Sequence, residues 1–150
     1  MLNATLHYLL MANHTLLQKM IQTRAREFGL TPGQPKVLDY LQKHDGVMQK
    51  AIALGCHIEA SSLSSILNGM EKAGLITRNM QQDNRRTVWI HLTDYGRDTC
   101  DRLNREFFKA EQIALKNFSK EDVGLLLDML GRICENLGEL NEKDGGQNAL

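Results

Sequence analysis

The chain has 150 residues, 42% hydrophobic and 24% charged, with 18 Lys/Arg set against 18 Asp/Glu. That content suits one compact domain with an ordinary core, and a net charge of zero excludes a uniformly basic polyanion binder. The charge is nevertheless segregated: residues 1–59 carry six Lys/Arg against four Asp/Glu, residues 60–92 four against two, and residues 93–150 eight against twelve, so one face can approach phosphates while another avoids them.

From residue 2 to about 28, Leu2, Leu6, Leu9, Leu16 and Met20 recur by threes and fours, with Asn13 and Thr23 continuing the stripe. This predicts a long amphipathic helix with a narrow seam. Its start, MLNATLHYLLMANHTLL, has no basic segment, and Asn and His interrupt the apolar positions, so neither a signal peptide nor a membrane span is expected. In GLTPGQPKVLDYLQKH, Gly29 ends the first helix, Thr31 caps the next, Pro32 takes its first position and Gln34 completes a capping box. Val37, Leu38 and Leu41 form the buried face of that second helix.

After His44-Asp45-Gly46, VMQKAIALGCHI predicts a short helix ended by Gly55, and EASSLSSILNGMEKAGLI predicts a further helix ended by Gly74. Two helices so closely joined have the spacing of a helix-turn-helix. Two strands follow, about 76–81 and 87–92. In the second, Val88, Ile90 and Leu92 alternate with Thr87, Trp89 and His91, and the polar segment 82–86 is the hairpin loop. Thr93 caps a helix running to about Asn117, with Leu103, Phe107, Ala110 and Ala114 along one side. Ser119 opens the last helix in a Ser-x-x-Asp box, and Val123, Leu126, Leu127, Leu130, Ile133, Cys134 and Leu137 give it a broad apolar face. The tail 141–150 is expected to be flexible.

The predicted fold is mainly α with a small β-hairpin wing: a winged helix-turn-helix over about 30–93, flanked by long terminal dimerisation helices over about 1–29 and 94–140. All of it forms a single domain, 1–150. With only two prolines and no Ser/Gly-rich run, no flexible interdomain linker is expected. The terminal helices carry more apolar surface than one small winged helix can cover, which predicts a homodimer matched to a two-fold site.

On a helical wheel turning about 100° per residue, Leu63, Ile66, Leu67 and Met70 share the core side of the fourth helix. Ser61, Ser65, Asn68 and Lys72 lie opposite, with Ser62 and Ser64 on the flanks. Short hydroxyls, an amide and an ammonium can donate to phosphate oxygens and base edges, and small side chains let a helix approach closely in the major groove. Any solvated helix is polar outside, and serines also cap first turns; the location in a helix-turn-helix, directly before a basic hairpin, is what favours DNA. Arg85 and Arg86 fall where a wing tip projects, suited to a narrow minor groove, and Asp83 can orient one of them. Arg78, in the first strand, completes the candidate DNA-binding set.

The stretches LTPGQPKVLDYL, SSLSSILNGMEKAGLITR, DNRRTVWIHLTDYG and NFSKEDVGLLLDMLGRICENL resemble the MarR family of bacterial transcriptional regulators over nearly the whole chain. The Asp-x-Arg-Arg wing followed by Leu-Thr-x-x-Gly is the most specific piece. The resemblance implies a homodimer that binds palindromic DNA and represses transcription, with Arg85 as the wing-tip arginine and Arg86 supporting it or touching the backbone. It also implies release by a small aromatic or phenolic effector held between the dimerisation and DNA-binding parts, although no local motif identifies such a ligand. Some members sense oxidants through a cysteine near the start of the first helix, and residues 1–28 contain none.

Cys56, Cys100 and Cys134 are odd in number and lack Cys-x-x-Cys spacing, so neither a disulfide framework nor a zinc site is suggested, and buried thiols in a reducing cytoplasm are expected. His57 and His91 are isolated, and no metal or cofactor is expected. With no Ser-His-Asp order, glycine-rich phosphate loop or carboxylate pair in context, an enzyme is not expected. The alternative to DNA binding is a winged helix that serves only as a protein-protein module, its wing docked on an acidic partner.

Overall fold

The computed structural model describes residues 4–81 and 84–147, the side chains of 81–86 and 140–147 excepted. The chain forms two units, residues 1–110 and 111–150. The first holds α1 (Leu6–Glu27), α2 (Gln34–Lys43), β1 (Val47–Met48), α3 (Gln49–Cys56), α4 (Ala60–Lys72), β2 (Ile76–Gln81), β3 (Asn84–Leu92) and most of α5 (Asp94–Ala114); the second holds the end of α5 and α6 (Lys120–Gln147).

Glycines end two helices where the sequence places them. Gly29 and Gly74 both take φ +73°. In each case the next amide reaches back five residues, Leu30 to Ala25 O and Leu75 to Met70 O, closing the left-handed C-cap that a Cβ disfavours. The start of α2 differs from expectation. Its N-cap is Gly33 (φ +87°), not Thr31, and Pro35 rather than Pro32 occupies its first turn. A helix begun at Pro32 would carry Pro35 at its fourth position, where the missing N–H breaks an internal bond; starting at Gln34 avoids that loss. Half of the expected box survives, since the Thr31 amide donates to Gln34 Oε1 at 3.0 Å.

Gly55 does not end α3. The helix continues to Cys56, and His57 takes the left-handed position (φ +52°), with Ile58 N–H donating to Ala53 O. Gly55 serves packing instead, because a Cβ there would enter the Tyr40 ring. The strand β1 was not foreseen; it makes the sheet three-stranded and antiparallel, in the order β1-β3-β2, through Val47↔Ile90 and Met48↔Trp89. Two residues are too few to display a period.

The wing hairpin is also longer than expected. β3 begins at Asn84, which pairs with Gln81 across an irregularity at Met80/Gln81, so the backbone of Arg85 and Arg86 belongs to the strand rather than to a five-residue loop. The core of this unit gathers Val37, Leu38 and Leu41 from α2, Leu63, Leu67 and Met70 from α4, and Ile90 and Leu92 from β3, all at most 3% exposed. α1 contributes only Ala25 as a fully buried residue, while Leu6, Leu9 and Leu16 of the predicted seam are exposed.

A single side chain ties the base of the wing to its surroundings. Asp45 Oδ1 accepts the amides of Leu92 (2.8 Å) and Gly46 (3.0 Å), and Oδ2 accepts Arg97 Nη1 at 2.7 Å. Thr93 caps α5 by accepting the Gly96 amide at 2.9 Å, and its hydroxyl donates to Gly74 O at 2.6 Å.

In the second unit, Ser119 and Asp122 exchange side-chain-to-amide bonds, both at 3.0 Å, as the sequence predicts. α6 continues to Gln147, past the point where a flexible tail was expected. On its predicted apolar face Val123, Leu126 and Ile133 are half-buried, whereas Leu127, Leu130, Cys134 and Leu137 are exposed.

Candidate nucleic-acid interface

The helix-turn-helix consists of α3 and α4 joined by His57-Ile58-Glu59, with Leu63, Leu67 and Met70 of α4 fully buried. That orientation leaves Ser61, Ser62, Ser65, Asn68 and Lys72 exposed. Ser61, Ser65, Asn68 and Lys72 line up on the outward face, as the periodicity requires. Glu59 is the N-cap of α4 and makes no side-chain capping bond. The serines of the first turn are therefore not spent as N-caps, and the positive end of the helix is open to an acceptor.

Ser64 is arranged differently. It is half-buried, accepts Gln49 Nε2 at 2.7 Å and donates to Ala60 O at 3.1 Å, so its hydroxyl braces α3 against α4. Arg78, three-quarters buried on β2, directs Nη1 at Asn68 Oδ1 (2.8 Å) and at Glu71 Oε2 (3.2 Å). Gln49 and Glu71 were not singled out from the sequence. Their contacts join residues 15 and 7 apart on different elements, and no local period encodes such a pairing. Asp83 and the side chains of Arg85 and Arg86 lie outside the described residues.

The cysteines divide. Cys56 and Cys100 are buried and direct their thiols at Lys36 O (3.7 Å) and Leu38 O (3.5 Å), whereas Cys134 is exposed. Burial pushes the Cys56 thiol up, and burial reinforced by nearby carboxylates pushes Cys100 to about 11, which keeps both protonated and unreactive. Burial also raises Asp45, but the Leu92 amide, Arg97 and the Gly46 amide outweigh it and hold the carboxyl below its usual range.

An open groove of about 700 Å³ runs along α1 to the start of α2, lined by His14, Gln18, Lys19, Gln22, Arg26 and Gly33 among others. Among the described residues no helix is long and apolar enough to cross a membrane.

A short strand, a helix-turn-helix and a β-hairpin wing in this order define a winged-helix protein. The MarR family model matches residues 28–87. A protein assigned as the transcriptional regulatory protein for the hcr operon of Thauera aromatica is 28% identical over 105 residues, 70% of this chain; the aligned part spans 63% of that relative's length, less than two thirds of it. The structure of a MarR-family regulator from Listeria monocytogenes with a 26-mer DNA superposes with a TM-score of 0.89 at 22% identity, covering 95% of this chain and 96% of that one. The repressor CouR, bound to a 23-mer duplex, gives 0.78 at 27% identity, covering 87% of this chain and 92% of its own. Over residues 28–87, and in fold over nearly its whole length, the chain is similar to the MarR family of transcriptional regulators.

Proposed function

We propose that this protein is a sequence-specific DNA-binding regulator of transcription in the cytoplasm, a repressor that acts as a homodimer on a palindromic operator. In this reading α4 enters the major groove through Ser61, Ser62, Ser65, Asn68 and Lys72, and the wing places Arg85 and Arg86 in the flanking minor groove. The observation that carries it is the exposed polar ridge of α4 combined with a first turn that no side chain caps. A repressor of similar fold, CouR, binds a DNA duplex, which supports the same use here.

Dimerisation is supported by large apolar side chains that face solvent in the single chain: Leu6, Leu9 and Leu16 on α1, and Leu127, Leu130 and Leu137 on α6. A second copy would remove them from water. The groove along α1 supports a small aromatic or phenolic effector, with Lys19 and Arg26 available to an acidic group. Such a ligand would change the spacing of the two recognition helices, and should weaken DNA binding without dissolving the dimer.

Fluorescence anisotropy with the duplex upstream of the protein's own gene tests the reading, comparing wild type with Arg85→Ala/Arg86→Ala at two salt concentrations. Affinity should fall steeply with salt as phosphate contacts release counterions, and the double variant should bind weakly at both. Binding that ignores salt and both arginines would point instead to a protein partner.

A further inference from the structure

Arg78 and Asn68 carry an inference that deepens, and rests on, the DNA-binding reading above. Arginine offers only hydrogen-bond donors. The Asn68 atom 2.8 Å from Arg78 Nη1 is therefore the amide oxygen, which leaves Nδ2 with two protons turned away from β2. Asn68 is exposed between Ser65 and Lys72 on the outward face of α4, and among the described residues no partner takes those protons. Glu71 Oε2, 3.2 Å from the same guanidinium nitrogen, holds the arginine in place.

An unconstrained asparagine reads adenine, because its oxygen accepts from N6 while its nitrogen donates to N7. Here Arg78 already takes one of the oxygen's two lone pairs and fixes its direction toward β2. We propose that Arg78 is a positioning residue that fixes Asn68 as a donor-only reader, so each half-site presents it with an acceptor edge, guanine N7/O6, in place of adenine. Arg78 thereby sets specificity from behind the recognition helix without touching a base.

The test is selection of binding sites from a random duplex library by the full-length protein, run with wild type, Asn68→Ala, Asn68→Asp and Arg78→Met. Folding is checked by circular dichroism, and binding to the wild-type pool is measured first. One base pair per half-site should be relaxed by Asn68→Ala, and it should be guanine in the wild type. In Arg78→Met the freed amide can turn, and the preference for guanine over adenine should fall about tenfold. Asn68→Asp keeps the contact to Arg78 and presents an acceptor oxygen, so the same position should switch to cytosine; this variant keeps the test decisive if Arg78→Met does not fold. Adenine at the wild-type position would overturn the proposal. So would a guanine preference unchanged in folded Arg78→Met, or a base preference indifferent to Asn68→Ala. A wild type that enriches no sequence would overturn the DNA-binding reading itself and this inference with it.

Discussion

Replacing Gly96 with alanine tests how α5 is docked on the wing. Gly96 sits in the first turn of α5, and an ideal Cβ there falls inside the van der Waals envelope of Leu75 O and 3.2 Å from Leu92 Cδ2. The obstacle is backbone, not the far end of a side chain, so the helix itself must move. Overpacking of this kind costs roughly 1–3 kcal/mol. Displacing the helix start also strains the Thr93 cap, whose hydroxyl bonds the Gly96 amide and Gly74 O, a loss of about 1 kcal/mol. Helix propensity returns at most about 1 kcal/mol on going from glycine to alanine. The net loss is about 1–3 kcal/mol, a drop of about 0.5–1.5 M in the urea midpoint for a slope near 2 kcal/mol/M. Gly124 in α6 has nothing within 4 Å of an added Cβ, so Gly124→Ala should gain about 0.5–1 kcal/mol from the backbone alone. Both variants are unfolded in urea at one fixed protein concentration, because the proposed dimer would contribute to apparent stability. A Gly96→Ala midpoint equal to or above wild type, at unchanged slope, would refute the docking argument.

Asp45→Asn should cost about 1–2 kcal/mol at neutral pH, the value of charged hydrogen bonds discounted for a half-exposed Arg97. Because the folded Asp45 carboxyl lies below its ordinary 3.8, that stability is present above about pH 4 and is lost as pH falls through the folded value. Melts of wild type and variant should therefore converge in acid, and a gap that persists at pH 2 would contradict the assignment. Cys56 and Cys100 should resist alkylation at pH 8 in the native protein and label in guanidinium, as read by mass spectrometry; native labelling of either would show that burial does not protect them. Leu127→Glu should raise the dissociation constant of the dimer about a thousandfold, since a buried leucine is worth about 2 kcal/mol on each of two chains. Sedimentation that still reports a dimer at the same concentration would remove this face from the interface.

Which features were legible follows from how local their chemistry is. Gly29, Gly74, the Thr93–Gly96 cap and the Ser119/Asp122 box act within a few residues of themselves, so the sequence displays them, whereas the bond from Thr93 to Gly74 O spans 19 residues and has no local sign. The outward face of α4 was legible because one period decides which side is buried. The start of α2 was misplaced because two prolines and a glycine within five residues allow more than one beginning, and only Pro35 decides among them. Gly55 resembled a stop signal until Tyr40, fifteen residues earlier, accounted for it. The partners of Ser64, Arg78 and Asp45 lie on other elements, and the Asp45–Arg97 pair spans 52 residues. Nothing local to Arg78 in the sequence shows that Asn68 and Glu71 engage it.

The Asp45 carboxylate holds the last residue of β3 with one oxygen and the first turns of α5 with the other, so the foot of the hairpin and the helix share one joint. A nine-residue strand is about 30 Å long at roughly 3.3 Å per residue. Pivoting such an arm by about 5° at its foot carries the far end through about 2–3 Å, close to the length of a hydrogen bond. In the proposed complex, a small rotation of α5 would thus be multiplied, at the other end of the lever, into the difference between touching a groove and missing it.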